Sequence, residues 1–255
     1  MNLIRLENVA IGYHHQAIMT KINFALQAGA MTCLLGANGC GKTTLMKTLL
    51  GLLPALEGHI LLKEKSLTSY KPADIAKVIA YVPQAHDTPF TFTAIDMVMM
   101  GLTPHLSLFS VPGAKERVLG LEQLKKLGIE HLASRLYSTL SGGEKQLVLI
   151  ARALIQKPIM LIMDEPAASL DFGNQIRLLK QIEQLKADGI TVLMSTHHPQ
   201  HAATIADNVI LLDKHAGVRQ GSAESMLTLT NLARLYSIDE ESIAAHFQLP
   251  AHFTR

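Results

Sequence analysis

Eight consecutive residues fix most of what this chain can fold into. Gly36-Ala37-Asn38-Gly39-Cys40-Gly41-Lys42-Thr43 matches G-x-x-x-x-G-K-[ST] at every specified position. An apolar run ends at this loop, and an amphipathic helical pattern over 42–51 follows it. Strand, glycine loop and helix form the context in which this pattern holds phosphate. Glycines let the backbone wrap closely, so successive N–H groups point at phosphate oxygens. The positive end of the helix dipole adds to the attraction. Lys42 then reaches the β- and γ-phosphates, and Thr43 offers its hydroxyl to Mg²⁺. A chance Gly-rich turn would carry the bare pattern in on the order of 1 in 100 chains of this length. The flanking strand and helix make that accident rarer still.

The rest of the chain suits such a loop. Short apolar runs at 3–9, 31–36, 59–62, 78–82, 159–163, 191–195 and 209–212 read as strands. Several are continuous, as in strands covered on both faces. Helical patterns fit 42–51, 114–127, 143–156, 172–188 and 199–206. The alternation predicts an α/β fold with a mostly parallel central sheet. The first 30 residues and 55–82 look β-rich and hairpin-like. From about 86 to 156 there are helical patterns and loops, punctuated by Pro89, Pro104, Pro112 and Gly113, and no convincing strand. That stretch reads as a helical insertion.

A second acidic site completes the pattern. Met160-Leu161-Ile162-Met163 runs into Asp164-Glu165. An apolar central strand ends with carboxylates at its C-terminal edge, where α/β folds place ligands. Asp164 suits Mg²⁺, and Glu165 can polarise an attacking water as general base. Taken alone, a strand running into an acidic turn would explain the pair equally well.

Leu140-Ser141-Gly142-Gly143-Glu144-Lys145-Gln146 then precedes Ile150-Ala151-Arg152-Ala153-Leu154. A Ser and two Gly at a helix start form a further anion site. The segment resembles the signature sequence of ATP-binding cassette (ABC) ATPases, usually LSGGQ, with Glu144 as a departure. The resemblance covers nearly the whole chain. It implies a P-loop NTPase, RecA-like core with an antiparallel β subdomain and an inserted helical subdomain. Its boundaries would be 1–85 and 157–221 for core and β subdomain, 86–156 for the helical subdomain and 222–255 for a C-terminal helical segment. It implies that Tyr13 stacks on adenine. Gly36, Asn38, Gly39, Cys40, Gly41, Lys42, Thr43 and Thr44 would hold the phosphates. Gln84, in Tyr81-Val82-Pro83-Gln84, would contact Mg²⁺ and the attacking water, with Thr43 and Asp164 as further metal ligands. Asp171, in Ser169-Leu170-Asp171, would belong to the loop that crosses a dimer interface. His197 would contact the γ-phosphate. Lys42, Gln84, Glu165 and His197 would be the catalytic set, and Ser141, Gly142 and Gly143 would bind the ATP held by a second copy.

Two departures stand out. His197, His198 and His201 cluster, and His197 and His201 have the i,i+4 spacing that can bind zinc on a helix. Pro199 starts the helix after His197, which argues against that use. The family has an acidic residue where His198 stands. Cys40 replaces a common Ser. A thiol at a helix start can have a lowered pKa, which would make Cys40 modifiable; a small tolerated loop residue is the plainer explanation.

Composition narrows the class. Lys+Arg 23 against Asp+Glu 21 leaves +2, which points away from nucleic acid. Two Cys make no disulfide framework. Charged residues are only 17% and hydrophobic ones 48%, yet no run approaches a membrane span. The segment Ala94-Ile95-Asp96-Met97-Val98-Met99-Met100-Gly101-Leu102-Thr103-Pro104-His105 resembles the V-x-M-G-R-x-P-H stretch of importer ATPases for iron–siderophore, haem, cobalamin and related chelates or oxyanions, with Leu102 for the common Arg. That implies a homodimer on a polytopic permease dimer, served by a periplasmic binding protein. The place would be the cytoplasmic face of a bacterial inner membrane, with ATP and Mg²⁺ as cofactors. The apolar stretch from Phe90 to Met100 is either core or a groove for a permease helix. The rival readings are a soluble ABC ATPase of translation or repair and a small-molecule P-loop kinase. The signature and His197 oppose the kinase. A single cassette without basic segments opposes the soluble ATPase.

Overall fold

A computed structural model describes residues 1–84, 91–106, 112–168 and 170–247. The expectations that fall on Pro89, Phe90 and Ser169 lie outside the described residues. In chain order the elements are β1 (Asn2–Tyr13), β2 (Gln16–Gln27), β3 (Met31–Leu35), α1 (Lys42–Leu49), β4 (Glu57–Leu62), β5 (Lys65–Ser66), α2 (Pro72–Val78), β6 (Ile79–Val82), α3 (Ala94–Met99), α4 (Ala114–Lys126), α5 (Gly142–Leu154), β7 (Met160–Met163), α6 (Phe172–Ala187), β8 (Thr191–Thr196), α7 (Pro199–Ile205), β9 (Asn208–Asp213), β10 (Gly217–Ser222), α8 (Ala223–Met226), α9 (Leu229–Tyr236) and α10 (Glu240–His246). The architecture is α/β, with an antiparallel sheet and parallel strands around a phosphate loop. Two compact units divide the chain, Met1–Lys71 with Lys186–Arg255, and Pro72–Leu185.

In the first unit, β2-β1-β4-β5 form an antiparallel sheet. β9, β3 and β8 run parallel, with β10 antiparallel on the outside of β9. All five residues of β3 and all six of β8 are buried, as the continuous apolar runs require. β10 is polar and half-buried, and one of its side chains reaches β2. Gln220 Oε1 accepts from the Ala25 amide at 3.0 Å, and Gln220 Nε2 donates to the Ala25 carbonyl at 2.6 Å.

In the second unit, β6 and β7 pair in parallel and β7 is wholly buried. Between 91 and 156 the described residues form helices, turns and one isolated bridge, Thr93–Leu136. Capping boxes set two of the helix starts. The Asp96 amide donates to Thr93 Oγ1 at 3.3 Å and the Thr93 amide to Asp96 Oδ2 at 3.0 Å at α3. Ala94, Ile95, Met97 and Val98 of α3 are buried, so much of the Met-rich stretch is interior packing. Residues 72–78 were expected to be β-rich and instead form α2. The helix begins at Pro72, whose fixed φ and missing N–H cost nothing at a first turn. A 3₁₀ turn at Met100–His105 lies on the end of α5. A Cβ on Gly101 would stand 1.9 Å from the Arg152 carbonyl oxygen, and His105 Nε2 donates to the Gln156 carbonyl at 3.1 Å.

Candidate functional site

Each unit carries part of the expected chemistry. In the first, β3 delivers the chain to Gly36, whose missing side chain is a steric necessity. A Cβ there would lie 2.5 Å from Cys40 Sγ and 2.7 Å from the Leu212 carbonyl oxygen. Gly39 and Gly41 take φ of 73° and 107°, a region side chains avoid. Gly41 is also the N-cap of α1, and with no side chain it leaves the helix amides to an incoming anion. No acidic residue opposes that anion in the first turn of α1. Lys42 Nζ donates to the carbonyls of Gly36 (2.9 Å) and Ala37 (3.3 Å), so its ammonium folds over the loop. Thr43 is exposed.

Strand register puts a second expected residue at the same edge. Leu35 pairs with Thr196 across β3 and β8, so Gly36 and His197 leave neighbouring strand ends. Tyr13 ends β1, is 41% exposed, and its hydroxyl accepts from Thr44 Oγ1 at 3.3 Å. The antiparallel sheet thereby places an aromatic ring beside the phosphate-loop helix.

In the second unit the register does the same work. Val82 pairs with Met163, so Gln84 and Asp164-Glu165 follow adjacent strand ends. The Asp164 amide donates to the Val82 carbonyl at 2.9 Å, which extends the ladder by one step. Asp164 is buried, and Tyr81 donates its hydroxyl to Oδ2 at 3.5 Å. Burial, and then the Asp164 charge, push the Tyr81 phenol up to about 12, so it stays a donor. Glu165 has φ of 45°, which costs a non-glycine residue on the order of 1 kcal/mol. The Ala168 amide closes the turn on the Glu165 carbonyl at 3.1 Å.

Ser141 is the N-cap of α5. Its amide donates to Glu144 Oε2 at 2.7 Å, and its Oγ accepts from the Glu144 amide at 3.3 Å. That hydrogen bond from the Ser141 amide holds the Glu144 carboxyl below its ordinary range. Beside it, Gly143 faces Asn174, where a Cβ would approach the amide carbon to 3.1 Å. Asn174 is in turn hooked to Asp171, amide to Oδ1 and Nδ2 to Oδ2, both at 2.8 Å. Asp171 and the signature turn are therefore one packed cluster.

Residues 19–168 match the family described as "ABC transporter". The chain belongs to this family. It is similar to an ABC transporter ATP-binding protein of Haemophilus influenzae, 50% identical over 96% of this chain and 93% of the relative. It is similar to the iron(3+)-hydroxamate import ATP-binding protein of Bacillus subtilis, 34% identical over 95% and 91%. Among solved structures, a metal-chelate type ABC transporter in an inward-facing conformation superposes with TM-score 0.83 at 32% identity, covering 93% of this chain and 90% of that one.

Within this ABC chain several neighbours of the motifs were not anticipated. The Ser141–Glu144 capping box was readable as S-x-x-E, a role at N3 that Glu144 fills as the usual Gln would. Tyr81 and Asn174 carry no sequence signal of their own. At Cys40 the plainer of the two readings is favoured: burial pushes the thiol up despite the nearby Lys42 charge. Cys40 is only 2% exposed, which suits a small packed loop residue. The His197 and His198 rings lie 4.0 Å apart and those of His198 and His201 5.0 Å apart. Among the described residues no three His, Cys, Asp or Glu side chains are grouped to hold a metal ion.

Proposed function

We propose that this chain is the ATP-hydrolysing subunit of an ABC importer and closes as a head-to-tail dimer around two ATP molecules. Lys42 and the loop amides hold the phosphates, and Tyr13 takes the adenine. Glu165 is the general base, and Gln84 and His197 bracket the attacking water and γ-phosphate. Ser141, Gly142, Gly143 and Asp171 serve the ATP of the partner copy, because each chain of a two-fold pair supplies half of both sites. The oxygen donors Thr43, Gln84 and Asp164 suit Mg²⁺, which when bound neutralises charge on the β- and γ-phosphates. The observation that carries this reading is the buried strand β7 delivering Asp164 and Glu165 beside the strand end that leads to Gln84.

The importer reading is supported by relatives named for import of iron(3+)-hydroxamate, hemin and molybdate. Its cargo is a metal chelate or an oxyanion such as molybdate. Its partners are a polytopic permease dimer and, through that permease, a periplasmic binding protein, with the chain on the cytoplasmic face of the membrane. Among the described residues no helix is long and apolar enough to cross a membrane. The helical region 86–156 is the part that meets the permease, and 1–85 with 157–221 is the nucleotide-binding core. The match to importer subunits along nearly their full length favours this over a soluble ABC ATPase of translation or repair.

The test is Glu165→Gln. It keeps ATP binding, lowers turnover by at least ~100-fold, the scale of a lost general base, and elutes as a dimer with ATP. Wild-type turnover from a chain that stays monomeric with ATP would refute the assignment.

A further inference from the structure

The C-terminal helices reach the strand end that carries His197. α9 is fastened at its start by Thr228 Oγ1, which accepts from the Asn231 amide at 3.2 Å, and by Arg219 Nη1 of β10, which donates to Asn231 Oδ1 at 2.7 Å. Leu232, Ala233 and Leu235 are buried beneath it. Its end is set by Ser237 at φ 55° and by the Ile238 amide, which donates to the Ala233 carbonyl at 3.0 Å. Tyr236, the last helical residue, is thus held in place, and its hydroxyl donates to the His197 carbonyl at 3.0 Å.

That bond acts on a peptide already gripped from its other side. The His198 amide donates to Thr196 Oγ1 at 3.0 Å. The His197 carbonyl and the His198 amide belong to one planar unit. Fixing both fixes ψ of His197 and the direction in which its imidazole leaves the strand end. Thr196 Oγ1 also pairs with His201 Nδ1 at 3.3 Å. His201 is buried and stays neutral into mildly acidic solution, so this support carries no charge of its own.

We propose that Tyr236 is the positioning residue for His197, so that the C-terminal segment sets the geometry of the γ-phosphate contact. This rests on the reading of His197 as that contact. The test is Tyr236→Phe in the full-length chain, read in two ways. Turnover should fall roughly tenfold, a fraction of the ~100-fold that a 1 Å misplacement can cost. KM for ATP and the stoichiometry of bound ATP should keep their wild-type values. In ¹⁵N-histidine-labelled protein, the ring resonance that disappears in His197→Ala should shift in Tyr236→Phe. A wild-type value for either turnover or that resonance overturns the proposal. So does a parallel loss of turnover and bound ATP, which marks a merely structural role. An inactive His197→Ala beside a fully active Tyr236→Phe overturns this inference alone. Wild-type turnover in His197→Ala overturns the reading of His197 and this inference with it.

Discussion

Gly101→Ala should be among the most damaging single-methyl additions in the molecule. The new Cβ would stand 1.9 Å from the Arg152 carbonyl oxygen and 2.6 Å from Ile155 Cγ2, whereas real Cβ contacts essentially never fall below 3.0 Å. The oxygen would have to withdraw by at least 1.1 Å, the difference between 1.9 and 3.0 Å. It is a backbone atom near the C-terminal end of α5, so no rotamer change relieves it. Overpacking of this kind costs ~1–3 kcal/mol. Separating the turn from the helix also strains the bond from His105 to the Gln156 carbonyl, worth about 1 kcal/mol. A loss of ~2–4 kcal/mol lowers the melting temperature of a chain this size by about 5–15 °C. The assay is thermal unfolding followed by circular dichroism. Gly128→Ala is the control, because φ is +72° with nothing within 4 Å, which leaves only backbone strain of on the order of 1 kcal/mol. Adding Ile155→Ala to Gly101→Ala should not restore stability, since the tighter contact is to backbone. A Gly101→Ala melt within 2 °C of wild type, or rescue by Ile155→Ala, would refute the reasoning.

Two further outcomes follow from the site. Ser141→Ala removes the α5 cap and should cost about 1 kcal/mol, a drop of roughly 2–4 °C in the same melt. Acid should unfold the chain partly through His201. Burial, then the neighbouring His198 and His197, lower its pKa from 6.5 to about 4, so between those values the unfolded chain holds the extra proton. Stability is therefore fully present above pH 6.5 and falls as the pH drops toward 4. Urea titrations across that range should show a flatter decline in His201→Gln.

The sequence disclosed what is local. The phosphate loop, the Asp164-Glu165 strand end and the signature turn are contiguous, and each buried apolar strand is its own signal. β2 was legible only as part of a β-rich opening. Its Lys21 takes φ of 55° and the pairing with β1 shifts register, which breaks the alternation of Met19, Ile22, Phe24 and Leu26. β10 is an outer strand with no apolar stripe to read. Tyr81 and Tyr236 meet Asp164 and His197 across 83 and 39 positions of chain. No spacing rule announces such partners, because folding alone brings them together.

Gln220 has a consequence for the two outer strands. β2 and β10 are each the last strand on their side, and an outer strand invites another chain to add itself. Proteins commonly repel such guests with lysines, but a chain with only 17% charged residues has few to station there. The Gln220 carboxamide offers one acceptor and one donor to the Ala25 peptide, as a neighbouring backbone would. One neutral side chain thus ties the two outer strands to each other at Ala25, where it takes the place a guest strand would need.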